Sequence, residues 1–176
     1  MPKAIIFDTS TLIRSLNALL SGQSLIPDND EPTHLFTTDS VITEVKGRAE
    51  SVALLALSSR ITIISPSRDA IRIVEDKAEK LGILGMLSKT DIDVVALAIE
   101  LSKKYSSIYI ASEDFAIQNI SASLGFKIIA IGKKIRYLIS YIKKCRNCGT
   151  RYPNDLDQCP YCSSRECDLI VVRRKI

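Results

Sequence analysis

The 176 residues contain no tryptophan and one histidine, His34. A single histidine excludes, within one chain, a paired-histidine ribonuclease mechanism and a Ser-His-Asp triad. His34 is read as packing near the second strand. Glycine is sparse, at seven residues, and forms neither a Walker A nor a G-x-G-x-x-G stretch, so nucleotide-driven chemistry has no support. No run approaches the roughly 18–20 apolar residues that span a bilayer. The amino terminus offers one lysine and a four-residue apolar run, so no secretory signal is expected. No membrane association is expected, and the expected location is the cytoplasm. Cysteine is missing from the first 144 residues; all five cysteines fall in the last 32.

What is present allows one domain, or one domain with a small module. Hydrophobic residues make up 46%, enough for a core, and charged residues 25%. The net charge of +4 conceals an asymmetry. Residues 1–126 hold 12 Lys+Arg against 16 Asp+Glu, whereas residues 127–176 hold 12 against 4. A basic end on an acidic body points to a polyanion such as nucleic acid, or else is a solvated tail.

Strand-like and helix-like segments alternate over residues 1–132. Strands are expected at Ala4–Phe7, Leu35–Thr37, Ile61–Ile64, Ile108–Ala111 and Lys127–Ile131. Ile71, Val74, Ala78 and Leu81 recur at helical spacing, with Gly82 just beyond. The helix after Asp91 is apolar nearly all round, so it is expected to be buried. This alternation predicts an α/β fold with a mainly parallel sheet flanked by helices. The acidic segment 27–32 reads as a loop. Residues 133–144 form a basic connector in which helix and strand are equally compatible with the pattern.

The last segment, CRNCGTRYPNDLDQCPYC, places Cys145, Cys148, Cys159 and Cys162 as two C-x2-C pairs ten residues apart. A two-residue gap lets both thiolates of a pair face one tetrahedral Zn²⁺. Gly149 and Pro160 suit tight turns there, and Leu169–Val172 is a strand that can return alongside. Some thirty residues bury little core, so the metal supplies most of the folding energy. Residues 145–176 are therefore read as a small β-rich zinc ribbon with a structural, closed Zn²⁺ site; disulfides are the competing reading. Cys167 receives no role. The surrounding arginines and lysines fit RNA binding or a protein docking face. Tyr137, Tyr141, Tyr152 and Tyr161 lie among them, placed either for base stacking or for packing.

Four acids occupy strategic points. Asp8 ends the first strand in IIFDTSTLI, and Glu44 lies in TEV after the second. Asp91 opens the buried helix in LSKTDIDVVALAIEL, and Asp114 follows a strand in ASEDFAIQN. Each has a local explanation. Asp8 or Thr9 can cap a helix. Ser88 and Asp91 have capping-box spacing. Ser112 can cap the helix carrying Asp114, and Glu44 can sit on a solvated face. Together they imply more, because strand carboxyl ends and helix amino ends share one edge of a parallel sheet. Unit charges ~4 Å apart repel by about 4 kcal/mol at an effective dielectric near 20. Mg²⁺ or Mn²⁺ offsets such repulsion and supports phosphodiester hydrolysis.

In order and spacing, IIFDTSTLI, TEV, LSKTDIDVVALAIEL and ASEDFAIQN resemble the acidic motifs of PIN-domain ribonucleases. With the four-cysteine ribbon the chain is similar to the Nob-type endonucleases of small-subunit maturation. The resemblance implies a PIN-like catalytic domain over 1–132, a connector over 133–144 and a ribbon over 145–176. It implies Asp8, Glu44, Asp91 and Asp114 as catalytic acids, with Asp8, Asp91 and Asp114 holding Mg²⁺ or Mn²⁺. Asp93 is an accessory candidate, although helix geometry turns it about 200° from Asp91. Glu113 stands where the family commonly has an aspartate, and Ser10 or Ser112 is expected to bond the carboxylates. The implied substrate is precursor small-subunit rRNA, cut near its mature 3′ end to leave 3′-hydroxyl and 5′-phosphate. The implied partners are RNA, the pre-ribosomal particle and assembly proteins. Competing readings are a toxin-like PIN ribonuclease acting on tRNA or mRNA, and a non-catalytic RNA-binding assembly factor.

Overall fold

A computed structural model describes residues 2–20, 32–45, 60–130 and 132–176. Most of the acidic loop (27–31) and residue 131 of the fifth expected strand lie outside the described residues. Five strands form the first sheet: β1 (Lys3–Phe7), β2 (Thr33–Thr37), β3 (Ile61–Ile63), β4 (Ser107–Ala111) and β5 (Lys127–Ile129). Their order is β3-β2-β1-β4-β5, and every pairing is parallel. β2 starts two residues before its apolar run, because Thr33 and His34 continue the parallel register opposite Lys3 and Ala4. His34 bonds the Tyr105 hydroxyl through Nδ1 at 3.0 Å and stacks edge-on against the same ring. Ala4–Phe7 are completely or almost completely buried, as expected for a central parallel strand covered on both faces.

The helices are α1 (Thr9–Leu20), α2 (Asp39–Val45), α3 (Arg68–Leu81), α4 (Lys89–Leu101) and α5 (Phe115–Ser123). α3 is capped by Ser67, which accepts the Ala70 N–H, and it buries Ala70, Val74 and Ala78. It ends at Gly82, whose φ of 69° is left-handed. A Cβ on Gly82 would also lie 2.7 Å from the Tyr141 carbonyl oxygen, so the same glycine ends the helix and admits a neighbouring strand. α4 buries Ile92 through Ala98 and Leu101, matching its all-round apolar sequence. Among the described residues, no helix is long and apolar enough to cross a membrane.

A second, antiparallel sheet contains β6 (Tyr137–Cys145), β7 (Arg151–Tyr152) and β8 (Cys167–Lys175) in the order β7-β6-β8. The β6/β8 register runs from Tyr137 opposite Lys175 to Cys145 opposite Cys167. The helix-or-strand ambiguity over the connector thus resolves to strand, and residues 137–144 belong to the middle strand of this sheet. The sheet is tied to the body. Asn119 on α5 bonds both backbone groups of Ile139 (2.7 and 2.8 Å), and Tyr141 packs against the main core.

Candidate active site

In this strand order the chain reverses direction across the sheet between β1 and β4, where parallel α/β folds open a crevice at the strand carboxyl ends. Asp8 follows β1 there and Ser112 follows β4. Asp8 is 5% exposed. Its Oδ1 accepts the Thr11 N–H (2.7 Å) and the Ser10 hydroxyl (3.2 Å), and its Oδ2 accepts the Ser112 hydroxyl (2.5 Å). Asp8 therefore caps α1 from inside the crevice.

Asp114 is exposed and is itself the N-cap of α5, its Oδ1 accepting N–H groups of Ala116 (2.6 Å) and Ile117 (3.1 Å). The sequence-based expectation gave this cap to Ser112. Ser112 instead accepts the Asp114 N–H (3.1 Å) and donates to Asp8. Asp91 forms the expected capping box. Its Oδ2 accepts the Ser88 N–H (2.7 Å), and Ser88 Oγ accepts the Asp91 N–H (3.2 Å). Burial pushes the Asp91 carboxyl up, the Ser88 bonds pull it down, and the charges of Asp114 and Asp8 raise it further. Asp91 is thus within electrostatic reach of Asp8 and Asp114, although the three come from distant segments.

Glu44 is exposed at the end of α2, and its Oε2 accepts the Thr9 hydroxyl at 2.5 Å. That bond brings it to the residue beside Asp8. Asp93 is buried in α4 at 8% exposure. Glu113 is engaged by Arg14, Nη1 to Oε1 at 2.8 Å. Nothing in the local pattern marks Arg14, whose partner lies 99 residues away, and no role was expected for Gln118 either; Thr9, expected as a possible helix cap, instead donates its hydroxyl to Glu44.

The acids share an edge without closing into a cage. Among the described residues, the only set of three or more ligating side chains with donor atoms all within 4.8 Å of one another is the four cysteines. Mutual repulsion favours such a spacing. The donor set suits a hard cation, since every donor is a carboxylate oxygen. The caps use Oδ2 of Asp91 and Oδ1 of Asp114, leaving the second oxygen of each outside the cap.

The cysteines form two matching knuckles. Cys145 N–H donates to Thr150 O (2.9 Å) and Gly149 N–H to Cys145 O (3.0 Å). Likewise, Cys159 N–H donates to Ser164 O (2.9 Å) and Ser163 N–H to Cys159 O (2.9 Å). Across the pairs, the Cys145–Cys162 and Cys148–Cys159 sulfurs are 3.5 Å apart. A disulfide requires about 2.05 Å, whereas the edge of a tetrahedron with 2.3 Å Zn–S bonds is about 3.8 Å. The spacing therefore fits a shared metal and not a covalent bridge. The Cys148 thiol is pulled down to about 6, first by the Thr150 hydroxyl and then by its N–H. At Cys162 the Ser164 N–H pulls down, but burial and the Cys148 and Cys145 sulfurs push the thiol up to about 11. Four sulfurs this close cannot all ionise without a cation. Cys167 lies outside the four-sulfur set and packs on a small core of Cys145, Tyr152 and Cys159.

The family profile for the PIN domain of ribonuclease matches residues 5–101. That span includes Asp8, Glu44 and Asp91. An acid-lined parallel sheet with this match defines an RNA-cleaving hydrolase, and the chain belongs to the PIN-domain ribonuclease family. More particularly, it is 33% identical to Endoribonuclease Nob1 of Pyrococcus abyssi, over 73% of this chain and 80% of that protein. It is 31% identical to Endoribonuclease Nob1 of Archaeoglobus fulgidus, over 74% and 77%. It is also 34% identical to Ribonuclease VapC1 of Thermoplasma acidophilum, over 89% and 73%.

Proposed function

We infer that this PIN-domain endoribonuclease depends on Mg²⁺ or Mn²⁺ and matures the 3′ end of small-subunit precursor rRNA in the cytoplasm, working on a pre-ribosomal particle. The observation that supports this reading is the placement of Asp8 at the end of β1 and of Asp91 and Asp114 at the amino ends of α4 and α5, all on the carboxyl edge of the parallel sheet. Asp8, Asp91 and Asp114 would hold the cation, which when bound offsets charge on the phosphoryl group and activates water. The chain's own contribution is preorganisation. Ser112, Ser10 and the Thr11 N–H fix Asp8, Ser88 fixes Asp91, and the amino end of α5 fixes Asp114. Glu44, beside Thr9, orients the attacking water at the rim. The cysteine module carries a structural Zn²⁺, and β8 presents Arg173, Arg174 and Lys175 to the RNA backbone.

The resemblance to the Nob-type endonucleases, with the appended cysteine module, favours rRNA as the substrate. A toxin-type ribonuclease acting on tRNA or mRNA is the second reading, favoured by the long alignment with VapC1. A short RNA spanning the mature 3′ end of the small-subunit rRNA distinguishes them. Cleavage at that boundary is expected with Mn²⁺, and Asp8→Asn is expected to abolish it while RNA binding survives. Cleavage that persists in Asp8→Asn refutes the catalytic reading. Cleavage of tRNA or mRNA in preference to the rRNA boundary transfers the case to the toxin-type reading.

A further inference from the structure

Gln118 on α5 is fully buried, at 0% exposure, yet both ends of its amide are engaged. Nε2 donates to the carbonyls of Ser112 (3.1 Å) and Lys133 (3.0 Å), and Oε1 accepts the Ile135 N–H (3.0 Å). One side chain therefore joins the turn after β4 to the segment that enters β6. Ser112 is held on every side. Its N–H donates to Ile129 O (3.1 Å), its carbonyl accepts from Gln118, and its hydroxyl donates to Asp8 and accepts the Asp114 N–H. Burying an amide is favourable only when its partners are supplied, so this arrangement specifies one conformation of both segments. Asn119 makes a parallel clamp, both of its bonds going to the backbone of Ile139.

We propose that Gln118 is a positioning residue of the acidic crevice: through the Ser112 carbonyl it sets the hydroxyl that aims Asp8, and through residues 133–135 it links that aim to the strand leading into the cysteine module. The proposal rests on Asp8 being a ligand of the divalent cation. Its consequence is that loosening Gln118 misplaces a carboxylate without removing any ligand.

The test compares Gln118→Met with Asn119→Met in the full, zinc-loaded chain. Thermal midpoint and Mn²⁺ affinity by titration calorimetry are measured without RNA, followed by kcat and KM on the boundary RNA. Gln118→Met is expected to weaken Mn²⁺ binding about tenfold, the lower end of the range for outer partners of metal ligands, and to lower kcat at unchanged KM. Asn119→Met is expected to lower the thermal midpoint while Mn²⁺ affinity stays within about twofold, far from that range. If Mn²⁺ affinity is unchanged in Gln118→Met, or falls equally in both variants at equal thermal loss, Gln118 is structural only and the proposal is overturned. Should Gln118→Met fail to fold, Gln118→Asn carries the same comparison, being too short to span both segments. Asp8→Asn run in parallel separates the two levels. If it leaves Mn²⁺ affinity intact, the reading of Asp8 fails and the proposal with it; if it weakens binding while the Gln118 variants do not, only the positioning role fails.

Discussion

The two knuckles differ at one matched position, and the difference has a calculable consequence. The residue after the second cysteine of each pair is left-handed: Gly149 has φ 75° and Ser163 has φ 57°. For an L-residue that conformation costs about 1–2 kcal/mol. Glycine avoids it but loses about 0.5–1 kcal/mol more chain entropy on folding. Ser163→Gly should therefore stabilise the knuckle by about 0.5–1 kcal/mol, the difference between those terms. Gly149→Ala should destabilise by a similar amount, since an added Cβ there meets no atom within 4 Å and the cost is conformational alone. Folding of so small a module is linked to metal binding, so the effect should appear in zinc affinity as about two- to fivefold, tighter for Ser163→Gly and weaker for Gly149→Ala. Competition against a chromogenic chelator at neutral pH measures it. Shifts of the same sign in both variants would refute the argument that the two pairs share one backbone requirement.

Two further outcomes follow from the charges and the cores. Asp91 has its carboxyl raised by burial and then by Asp114 and Asp8. Its contribution to stability is therefore present below the ordinary aspartate value of 3.8 and is lost as pH rises through the higher folded value. Asp91→Asn, which keeps an acceptor for the Ser88 N–H, should raise the cation-free thermal midpoint at pH 7, leave it unchanged near pH 3, and abolish cleavage; a midpoint lowered at pH 7 would contradict this. Chelation of zinc should melt the cysteine module and spare the body, because Cys145, Tyr152 and Cys159 form a cluster separate from the main core. Limited proteolysis should then cut within 145–176 and leave the first sheet intact, and simultaneous loss of both would count against separate cores.

The first sheet was legible because its strands are short apolar runs, several of them rich in isoleucine, between helical patterns. Where an end was missed, as at Thr33 and His34, the strand was extended by backbone register, which leaves no mark on side-chain pattern. β6 was illegible for a different reason. Its partner is β8, a full nine-residue pairing made after the chain has turned back through both knuckles, and its mixture of basic, aromatic and aliphatic residues lacks clean alternation. The cysteines were legible because a two-residue gap is itself the chemistry. Gln118 was quoted within a motif without a role, since its partners are one backbone carbonyl six residues before it and two backbone groups 15 and 17 residues after it. Bonds to backbone are indifferent to which residues supply them.

The acids pose the deeper point, because their local and functional explanations first stood as rivals. Asp8, Asp91 and Asp114 each proved to be a helix cap, which taken alone favours the modest reading. Yet a cap uses N–H groups whose positions are set by the helix, so it fixes the carboxylate's orientation at little extra entropic cost. The cap also supplies positive dipole where several carboxylates must approach one another, a stabilisation of about 0.3–1 kcal/mol each. For Asp91 and Asp114 the cap bonds take one oxygen and leave the other. An acid that must converge with like charges is thus best placed where a helix begins, and the strand-to-helix turns of a parallel sheet gather such places along one edge. Under the proposed reading, capping is the means by which this fold would gather its acids, so the caps are compatible with the site and do not compete with it.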